Sequence, residues 1–433
     1  MSVDPNLLDD LEGRGLIHQI AEPKDAPLRK LLEEPQVIYA GFDPTSSSLH
    51  IGNLIPLFGL RRFQQAGHKV IVLAGGATGM IGDPSGKSSE RTLMTKEVLQ
   101  ANLAGVKQQL SAFLDFEGDN PALLVDNLDW TENLGLLDFL RDIGKHFFVN
   151  VMVKKDSVKD RLDREGEGLS FTEFSYSLLQ GFDFFWLHQN HGCKVQIGGS
   201  DQYGNIVAGT DLIRRKTEGE RGYGLTMPLL LKPDGTKFGK SAEGQNIWVD
   251  PGKTSPWAFR QFWFNQPDDM VITLLKRFTF LPLSEISKLE ETVGKGREAQ
   301  RALAVHMTGL VHGEETATQV EKAAEVFFNP KADLREMPVE LLEDAFSEAP
   351  TTELARSELE GEGKNWLDLV VEVAWGGANK RGQARKDIQG NAMSLNGQKL
   401  TDPDAAITTE HLVHDRYLVL RKGKKSQFLV KLQ

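Results

Sequence analysis

The chain has 433 residues, of which 40% are hydrophobic and 26% charged, and its net charge is −11. This composition is typical of a soluble globular protein of two or three domains, and no apolar run approaches the length of a membrane span. The first residues include acids and no hydrophobic signal core, so we expect a cytoplasmic protein. The single cysteine, Cys193, excludes an internal disulfide and a cysteine-rich zinc site, and we expect it to be buried and inert.

From Val37 to about Leu231, short apolar segments alternate with amphipathic helical patterns. Alternation of this kind predicts a doubly wound parallel sheet, which we place in a Rossmann-like domain over residues 1–230. Ligands of such sheets bind at the carboxyl ends of the strands, so the loops after the strands are candidate sites. The sequence predicts strands at four positions: 37–40, 69–73, 122–125 and 194–197.

The segment from Pro44 to Asn53 contains His50-Ile51-Gly52-Asn53 and follows the first of these strands. A strand that runs into a helix N-terminus directs backbone N–H groups and the helix dipole toward an anion such as phosphate. Taken alone, the segment is better explained as an ordinary helix start, with a serine as N-cap and a solvated histidine in the first turn.

A glycine-rich segment follows the second strand and ends in Gly86-Lys87-Ser88, as phosphate loops do. It is not a phosphate loop, because the first glycine of that motif would have to stand at Ile81. We expect Asp83 to face a pocket at the sheet edge, with Lys87 and Arg91 on a flexible flap. On spacing alone, a structural turn in which Asp83 caps the next helix is slightly favoured.

A strongly apolar segment that begins at Ser170 predicts a helix, and Ser170 with Glu173 matches a capping box at its start. Tyr176, Gln180 and Asp183 are spaced at i, i+4 and i+7, so they share one face of this helix. A carboxylate among aromatic residues is costly unless it is paired. It either satisfies a neighbouring backbone group or awaits a polar ligand atom, and three polar groups in one stripe favour the ligand.

Lys237-Phe238-Gly239-Lys240-Ser241 is a second short segment that is weak by itself. It follows Asp234-Gly235, a common turn signal, and alone it is best explained as an exposed hairpin turn. If it is part of a site, its two lysines would place positive charge on a mobile loop, where a departing anion needs it.

The remaining chain predicts three further regions. Residues 231–345 combine the lysine-rich turn with a helical pattern and predict an α-helical domain. Residues 346–364 are rich in acids and end in a Glu- and Gly-rich run, which predicts a linker. Residues 365–433 predict a small α+β module with these elements: a helix over 366–374, a basic helix near 383–388 and two hairpins, the first turning at Asn396-Gly397.

Charge is distributed unevenly along the chain. Residues 376–433 hold eleven lysines and arginines against five acids, although the whole chain is acidic. A basic module on an acidic body suggests that a polyanion binds at that end. On charge alone, a merely solvated basic face is an equally good explanation.

Read as an ordered pair, His50–Asn53 and Lys237–Ser241 resemble the His-Ile-Gly-His and Lys-Met-Ser-Lys-Ser motifs with which class I aminoacyl-tRNA synthetases handle ATP. Asn53 stands in place of the second histidine, and Phe238-Gly239 in place of Met-Ser. Over almost the whole chain the sequence is similar to bacterial-type tyrosyl-tRNA synthetases, and its C-terminal part resembles a small RNA-binding module also found in a ribosomal protein. Four further segments carry this likeness: 39–45, 75–87, 171–183 and 196–202.

The resemblance implies a homodimer that activates L-tyrosine with ATP, taken with Mg²⁺, and transfers tyrosine to its tRNA. It implies no metal held by the protein and no membrane partner. Residues 1–230 would bind tyrosine and ATP, and residues 365–433 would bind RNA. Catalysis of this type works by positioning and charge stabilisation, without a covalent enzyme intermediate.

Position by position, the resemblance also implies roles for single residues in binding tyrosine. The substrate phenol would contact Tyr39 and Asp183. Its carboxyl group would lie near Gln202. Three side chains would hold its ammonium group: Asp83, Tyr176 and Gln180.

The resemblance also implies which residues contact ATP and tRNA. ATP would contact Asp43, Thr45, His50, Gly52, Asn53, Gly199, Asp201 and Lys240, with Asp201 on the ribose hydroxyls. The side chains that act on the phosphates during the reaction would be His50, Asn53, Lys87, Arg91, Lys237 and Lys240. The tRNA would contact Lys380, Arg381, Arg385, Lys386, Arg421, Lys422, Lys424 and Lys425.

Three rival functions remain to be weighed. A tryptophan-specific sister enzyme shares both ATP motifs but does not need a phenol-reading pair such as Tyr39 with Asp183. A non-catalytic RNA-binding protein on a synthetase scaffold would be expected to lose His50, Lys237 or Lys240, all of which are present. A nucleotidyltransferase with a related histidine motif would lack the basic C-terminal module.

Overall fold

The computed structural model describes residues 2–85, 94–155, 158–159, 168–231, 238–239, 245–329, 332–347, 349–376, 380–423 and 426–433. The chain forms two compact units. Unit 1 comprises residues 1–254 and 265–303, and unit 2 comprises residues 255–264 and 304–433.

The α-helices of the described residues are numbered in chain order. They are α1 (Leu7–Gly13), α2 (Leu28–Leu31), α3 (Ile51–Gln65), α4 (Thr78–Ile81), α5 (Lys96–Phe113), α6 (Leu128–Thr131), α7 (Leu136–Asp142), α8 (Val149–Met152), α9 (Phe171–His191), α10 (Tyr203–Lys216), α11 (Pro256–Phe264), α12 (Asp268–Phe278), α13 (Leu283–Glu290), α14 (Glu298–His312), α15 (Glu314–Phe328), α16 (Val339–Ala345), α17 (Trp366–Val370) and α18 (Arg381–Gln389).

The strands are numbered in the same way. They are β1 (Gln19–Ala21), β2 (Val37–Phe42), β3 (Lys69–Ala74), β4 (Leu123–Asp126), β5 (Cys193–Gly199), β6 (Tyr223–Met227), β7 (Thr351–Leu354), β8 (Lys364–Asn365), β9 (Met393–Leu395), β10 (Gln398–Lys399), β11 (Ala406–Ile407), β12 (Tyr417–Lys422) and β13 (Ser426–Leu432).

Unit 1 is built on a six-stranded sheet in the order β1-β6-β5-β2-β3-β4. Only β1 is antiparallel to its neighbour; the other strands run parallel. The predicted doubly wound parallel sheet and its four strands are therefore confirmed. Cys193 is fully buried at the start of β5, and burial raises the pKa of its thiol, as expected of an inert cysteine.

The helix predicted from Ser170 is α9. The Ser170 side chain accepts a hydrogen bond from the Glu173 backbone N–H at 3.3 Å, so the predicted N-cap is present. The helix ends at Gly192, whose φ of 66° lies in the left-handed region that glycine adopts easily. Its apolar side chains, including Phe184 and Leu187, pack with Tyr39 and Ile71 of the sheet and fix the polar stripe over the carboxyl edge.

Unit 2 combines helices with a five-stranded sheet in the order β10-β9-β12-β13-β7 and a small β8–β11 pair. The predicted hairpin at Asn396-Gly397 joins β9 to β10, with φ of 48° and 86° at the two residues. The second hairpin is β12–β13. The first predicted helix is α17, which continues as a π-helical turn through Trp375, and the predicted basic helix is α18.

The prediction of a linker over residues 346–364 is wrong. Strand β7 lies within it and pairs in parallel with β13, from Thr351 with Leu429 to Leu354 with Leu432. Leu354 and Leu359 are buried in the core beneath this sheet. Four acids of this segment, Glu353, Glu358, Glu360 and Glu362, are exposed, while the leucines among them supply the packing, so acid content alone is misleading here.

The helical region also divides differently from the predicted 231–345 domain. Residues 265–303 group with unit 1, whereas 255–264 and the chain from residue 304 group with unit 2. In unit 2, Trp257 and Phe327 share one core cluster with Tyr417 and Leu429 of the C-terminal hairpin. The C-terminal module therefore shares its core with helices that precede it in the chain.

Candidate active site

A cavity of about 500 Å³ opens at the carboxyl ends of the parallel strands of unit 1. Chain order in the sheet reverses between β2 and β5, the point at which open α/β sheets bind ligands. Thirteen of the predicted site residues line this one cavity: Tyr39, Asp43, Thr45, His50, Gly52, Asn53, Asp83, Tyr176, Gln180, Asp183, Gly199, Asp201 and Gln202. The predicted Lys87, Arg91, Lys237 and Lys240 lie outside the described residues.

Tyr39 and Asp183 are deeply buried polar residues of the cavity, with exposures of 1% and 3%. The Tyr39 ring packs on Phe184 at 5.2 Å between centroids. Its hydroxyl has no hydrogen-bond partner among the residues that the structure describes. Burial, and then the nearby Asp183 carboxylate, raises the pKa of Tyr39 well above its usual value, so its O–H remains a donor.

Asp183 is held by two side chains that sequence reasoning missed. Trp130 Nε1 donates to Asp183 Oδ1 at 2.9 Å, and Asn127 Nδ2 donates to Oδ2 at 2.9 Å. The Trp130 ring stacks on Trp186 at 4.1 Å, which fixes the donor. Burial raises the pKa of Asp183 from 3.8 to about 7, although the two donors act in the opposite direction. A signal for both residues was available, because Asn127 directly follows strand β4 and Trp130 lies in the short helix after it, at the ligand-binding edge.

A second carboxylate, Asp43, lies just after β2. Tyr176 O–H donates to Asp43 Oδ2 at 2.7 Å, and Thr78 O–H donates to Asp43 Oδ1 at 2.6 Å. Burial, and then Asp43, raises the pKa of Tyr176 well above its usual value, so Tyr176 stays protonated. Thr78 was also missed by sequence reasoning.

Asp83 faces the cavity and also forms a local turn, but it does not cap the next described helix, α5, whose N-cap is Thr95. Its Oδ1 accepts from the Ser85 backbone N–H at 2.9 Å, as in a structural turn, and its Oδ2 accepts from Gln202 Nε2 at 2.6 Å inside the cavity. Gln180, on the face of α9 that also carries Tyr176, has a buried Oε1 that accepts no hydrogen bond in the described part of the chain. Carboxylate and amide oxygens therefore converge beside the Tyr176 hydroxyl, an arrangement suited to an ammonium group.

His50 itself, rather than a serine, is the N-cap of α3. Its Nδ1 accepts from the Gly52 backbone N–H at 3.0 Å, and Asn53 Oδ1 accepts from the His50 backbone N–H at 3.0 Å. Because Nδ1 is an acceptor, a neutral His50 carries its proton on Nε2. The Asn53 amide nitrogen is likewise left as the donor end of that side chain. Both residues thus orient N–H groups by capping the helix that faces the cavity.

Phe238-Gly239 stands where the Lys-Met-Ser-Lys-Ser motif has Met-Ser, and the backbone conformation explains the glycine. Gly239 has a φ of 103°, which side chains rarely tolerate, and an added Cβ would lie 3.1 Å from Ile51 Cγ1 at the start of α3. Phe238 is 8% exposed and lines the cavity. A serine at position 239 would be strained in this backbone conformation.

In unit 2, the predicted tRNA contacts form what we call the basic surface: Lys380, Arg381, Arg385, Lys386 and Lys422. Several of these side chains pair with acids of their own unit. Arg381 pairs with Asp368, Arg385 with Asp404 at 3.5 Å, and Lys422 with Asp387 at 3.3 Å. Lys380 and Lys386 are exposed, and Lys424 and Lys425 lie outside the described residues.

Arg421 differs from the other predicted tRNA contacts. Its Nη2 donates to the Phe327 carbonyl at 2.8 Å, and its guanidinium lies 4.9 Å from the centre of the Phe327 ring. Burial lowers the pKa of this guanidinium. Arg421 therefore serves the packing of unit 2.

No group of three or more histidine, cysteine, aspartate or glutamate side chains is arranged to hold a metal ion within the described ranges. In the same residues, no helix is both long and apolar enough to cross a membrane.

The chain matches two protein-family models. Residues 31–329 match class I tRNA synthetases (W and Y), and residues 341–430 match the C-terminal domain of tyrosine–tRNA ligases of the SYY-like type. It is 49% identical to the tyrosine–tRNA ligase of Bacillus caldotenax, over 98% of this chain and 99% of that protein. It is 46% identical to that of Desulfitobacterium hafniense, over 99% and 100%. A C-terminally truncated mitochondrial tyrosyl-tRNA synthetase from Aspergillus nidulans superposes with a TM-score of 0.67 at 35% identity, covering 74% of this chain and 94% of that one.

Proposed function

The chain belongs to the class I tRNA synthetases of the W and Y group, and we propose that it acts as a tyrosine–tRNA ligase. The enzyme activates L-tyrosine with ATP to tyrosyl-adenylate and pyrophosphate. It then transfers the tyrosyl group to the 3′ end of its tRNA, releasing AMP. The near-complete matches to tyrosine–tRNA ligases support this function.

One observation carries the choice of tyrosine as the amino acid. The buried Tyr39 hydroxyl can donate to a ligand oxygen, and the buried Asp183 carboxylate can accept from a ligand O–H. A phenol satisfies both groups at once. Phenylalanine would leave both buried groups without a hydrogen-bond partner. The free energy of these unsatisfied groups would weaken the binding of phenylalanine relative to tyrosine. The indole of tryptophan has no hydroxyl oxygen to accept from Tyr39, which disfavours the tryptophan-specific rival.

The other end of the amino acid is bound beside Asp83. Gln180 Oε1 and the Tyr176 oxygen offer acceptors for the three ammonium protons, and Asp83 supplies the negative charge. We place the substrate carboxyl group near Gln202, which donates to Asp83 and lines the cavity. This carboxylate attacks the α-phosphorus of ATP, and the bond from that phosphorus to the leaving pyrophosphate breaks.

ATP lies, in our proposal, across the N-terminus of α3. We place the phosphates beside Gly52, His50 Nε2–H and the Asn53 amide, and the ribose beside Asp201 and Gly199. Asp43 and Thr45, which line the same cavity, would also contact the nucleotide. Lys87, Arg91, Lys237 and Lys240 would stabilise charge on the departing pyrophosphate, and Mg²⁺ would accompany ATP without side chains of its own.

The basic surface of unit 2 would bind tRNA phosphates. Lys380 and Lys386 are exposed, and ion pairs such as Arg385–Asp404 are weak enough at a surface to open for a phosphate. Lys424 and Lys425, which lie outside the described residues, would also contact the tRNA. Arg421, which is engaged with Phe327, would support the module rather than contact RNA. The enzyme would work in the cytoplasm.

We further propose a homodimer that forms through an apolar face of unit 1. We assign to this face Leu136 and Leu137 of α7 and Phe171 at the start of α9, which are 72%, 78% and 76% exposed. We also assign to it four further exposed apolar residues: Leu140, Phe148, Val149 and Val151. Concentrated apolar exposure of this kind marks an interface, and a second copy of the chain is the partner that the family resemblance implies.

Leu137→Asp tests the dimer, because it places a charge within the proposed interface. We expect a monomer by sedimentation at concentrations at which the wild type is a dimer. Val98→Asp on α5, also an exposed apolar position, is the matched control and should leave the dimer intact. A wild-type monomer, or a dimeric Leu137→Asp variant, would contradict this interface.

The function itself is tested by ATP–pyrophosphate exchange. Exchange should require tyrosine and should not be supported by tryptophan or phenylalanine at equal concentration. Preference for tryptophan would favour the sister enzyme. No exchange with any amino acid, together with retained tRNA binding, would favour a non-catalytic RNA-binding protein.

A further inference from the structure

A continuous hydrogen-bond network connects the two ends of the amino-acid site. It runs from Asp183 through Asn127 and Thr78 to Asp43, and from Asp43 to Tyr176. The linking distances are 2.9 Å, 3.0 Å, 2.6 Å and 2.7 Å in that order. Thr78 is 2% exposed and Asn127 is fully buried, so water does not substitute for these bonds. Thr78 is the central member of the network.

The direction of each bond is fixed by its neighbours. Asn127 Oδ1 accepts from the Ala77 backbone N–H at 2.7 Å, so its Nδ2 must face Asp183 and Thr78. That nitrogen donates one proton to Asp183 and one to Thr78. The Thr78 oxygen is therefore an acceptor toward Asn127, and its single proton goes to Asp43.

This direction leaves hydrogen-bond acceptors at both ends of the network. Tyr176 donates its proton to Asp43, so the Tyr176 oxygen presents lone pairs to the ammonium position. Asp183 receives protons from Asn127 and Trp130 and retains lone pairs for the phenol proton. The two polar groups that distinguish tyrosine at its two ends, the ammonium and the phenol, are both donors to these acceptors.

The backbone beside Thr78 is shaped for the same bond. A Cβ added at Gly75 would lie 2.1 Å from Asp43 Oδ1 and 2.5 Å from Thr78 Oγ1. Any side chain at position 75 would therefore force these two atoms apart. The glycine at the end of β3 allows the close approach that the Thr78–Asp43 bond needs.

We propose, on the basis of the proposed function, that Thr78 is a positioning residue whose hydroxyl couples recognition of the phenol to recognition of the ammonium group. It fixes the orientation of Asn127 at one end and of Asp43 with Tyr176 at the other. Loss of the hydroxyl should weaken selection at both ends of the substrate together, even though Thr78 need not touch the substrate.

The test compares three ligands: L-tyrosine, L-phenylalanine, which lacks the phenol hydroxyl, and 3-(4-hydroxyphenyl)propanoate, which lacks the ammonium group. Their binding or inhibition constants are measured for the wild type and for Thr78→Val, which replaces the hydroxyl by a methyl group of similar size. We expect the preference for tyrosine over each analogue to fall by about tenfold or more, the size of one hydrogen bond to a charged group.

Two further variants make the result specific. Thr78→Ser keeps the hydroxyl and should keep both preferences within about threefold of the wild type. Gly75→Ala separates the bonded atoms without removing either and should lower both preferences, as Thr78→Val does. It also supplies the test if Thr78→Val does not fold.

The outcomes separate cleanly. Equal weakening of all three ligands, with unchanged preferences, would mean that Thr78 is merely structural and would overturn the proposal. Loss of only one preference would overturn the coupling. A wild-type enzyme that fails tyrosine-dependent exchange would instead refute the proposed function, which the variants do not address.

Discussion

The cavity of unit 1 buries polar atoms that await a ligand, whereas the basic surface of unit 2 exposes charges that pair with acids of the same unit. The hydroxyl of Tyr39 and Oε1 of Gln180 have no partner in the described chain, but Arg381 and Arg385 form surface ion pairs. A buried group without a partner costs free energy until the right ligand supplies one. A surface charge is screened and replaceable. We therefore expect few large effects in the cavity and many small, salt-dependent ones on the basic surface.

The largest expected effect is that of Asp183→Ala. This variant leaves Trp130 and Asn127 without their acceptor and removes the group that reads the phenol. We expect kcat/KM for tyrosine in pyrophosphate exchange to fall by about 10³-fold or more. Asp129→Ala changes an exposed carboxylate on neighbouring α6 and is the control. Near-normal exchange by Asp183→Ala would remove Asp183 from the tyrosine site.

The next largest effect is expected for Lys240→Ala, which removes a charge that acts during the reaction. If Lys240 stabilises the departing pyrophosphate, the single-turnover rate of adenylate formation should fall by about 10²- to 10³-fold, by analogy with loss of an oxyanion donor. Tyrosine binding should change little. Lys240→Arg, which retains the charge, should recover part of the rate. A normal rate of adenylate formation combined with weak tyrosine binding would mean that Lys240 acts in substrate binding and does not stabilise the departing pyrophosphate.

Titration of Asp183 gives an effect of intermediate size. Since its pKa is raised from 3.8 to about 7, the carboxyl is largely protonated at about pH 6 and ionised at about pH 8. The ionised form accepts the phenol proton, so tyrosine affinity should rise about tenfold across this interval. The contribution to folding has the opposite sign: the folded state holds this proton, and stability falls as pH rises from about 4 to 7.

Equilibrium binding of tyrosine as a function of pH checks this expectation. Asp183→Asn cannot ionise, so its weaker binding should be independent of pH over the same interval. A flat profile in the wild type would show that Asp183 is already ionised, and that the surrounding donors outweigh its burial.

The smallest single effects are expected on the basic surface. Lys380→Ala and Lys386→Ala should each weaken tRNA binding by only a few-fold, roughly 1 kcal/mol or less, and reduce its salt dependence by about one phosphate contact. Pyrophosphate exchange should not change. Lys322→Ala, an exposed lysine on α15, is the matched control. If either substitution lowered tRNA affinity by about a hundredfold, the basic surface would make a buried, specific contact, as the cavity does.

Single substitutions are preferable to removal of the C-terminal module. If residues 365–433 were an independent module after a linker, as the sequence predicts, a cut near Gly363 would leave an intact catalytic body. However, Tyr417, Val419 and Leu429 share a core with Trp257 and Val320 of the preceding helices. A cut there would expose this core and deprive β7 of β13, so lost charging by such a fragment would not report on RNA contacts alone.

Much of the fold and of the cavity could be predicted from local sequence. The strands and α9 follow from apolar patterns of period 2 and 3.6, and the i, i+4, i+7 spacing of Tyr176, Gln180 and Asp183 placed them on one face. Once the strands were known, the loops after them had to meet at one edge. The capping role of His50 was missed because histidine is not a usual N-cap, and Ser48 nearby suited that role better.

The sequence by itself determined what short-range periodicity and ordered motifs encode: the parallel sheet, the polar face of α9, the residue types around the cavity and the family. Only the tertiary structure decided how distant side chains meet. Thr78 lies 35 residues from Asp43 and 49 from Asn127, and Asn127 lies 56 from Asp183. Strand β7 pairs with β13 across a larger separation, with Thr351 opposite Leu429. No local pattern specifies such pairings, because they depend on which elements the whole chain packs together and on the acceptors left unsatisfied there.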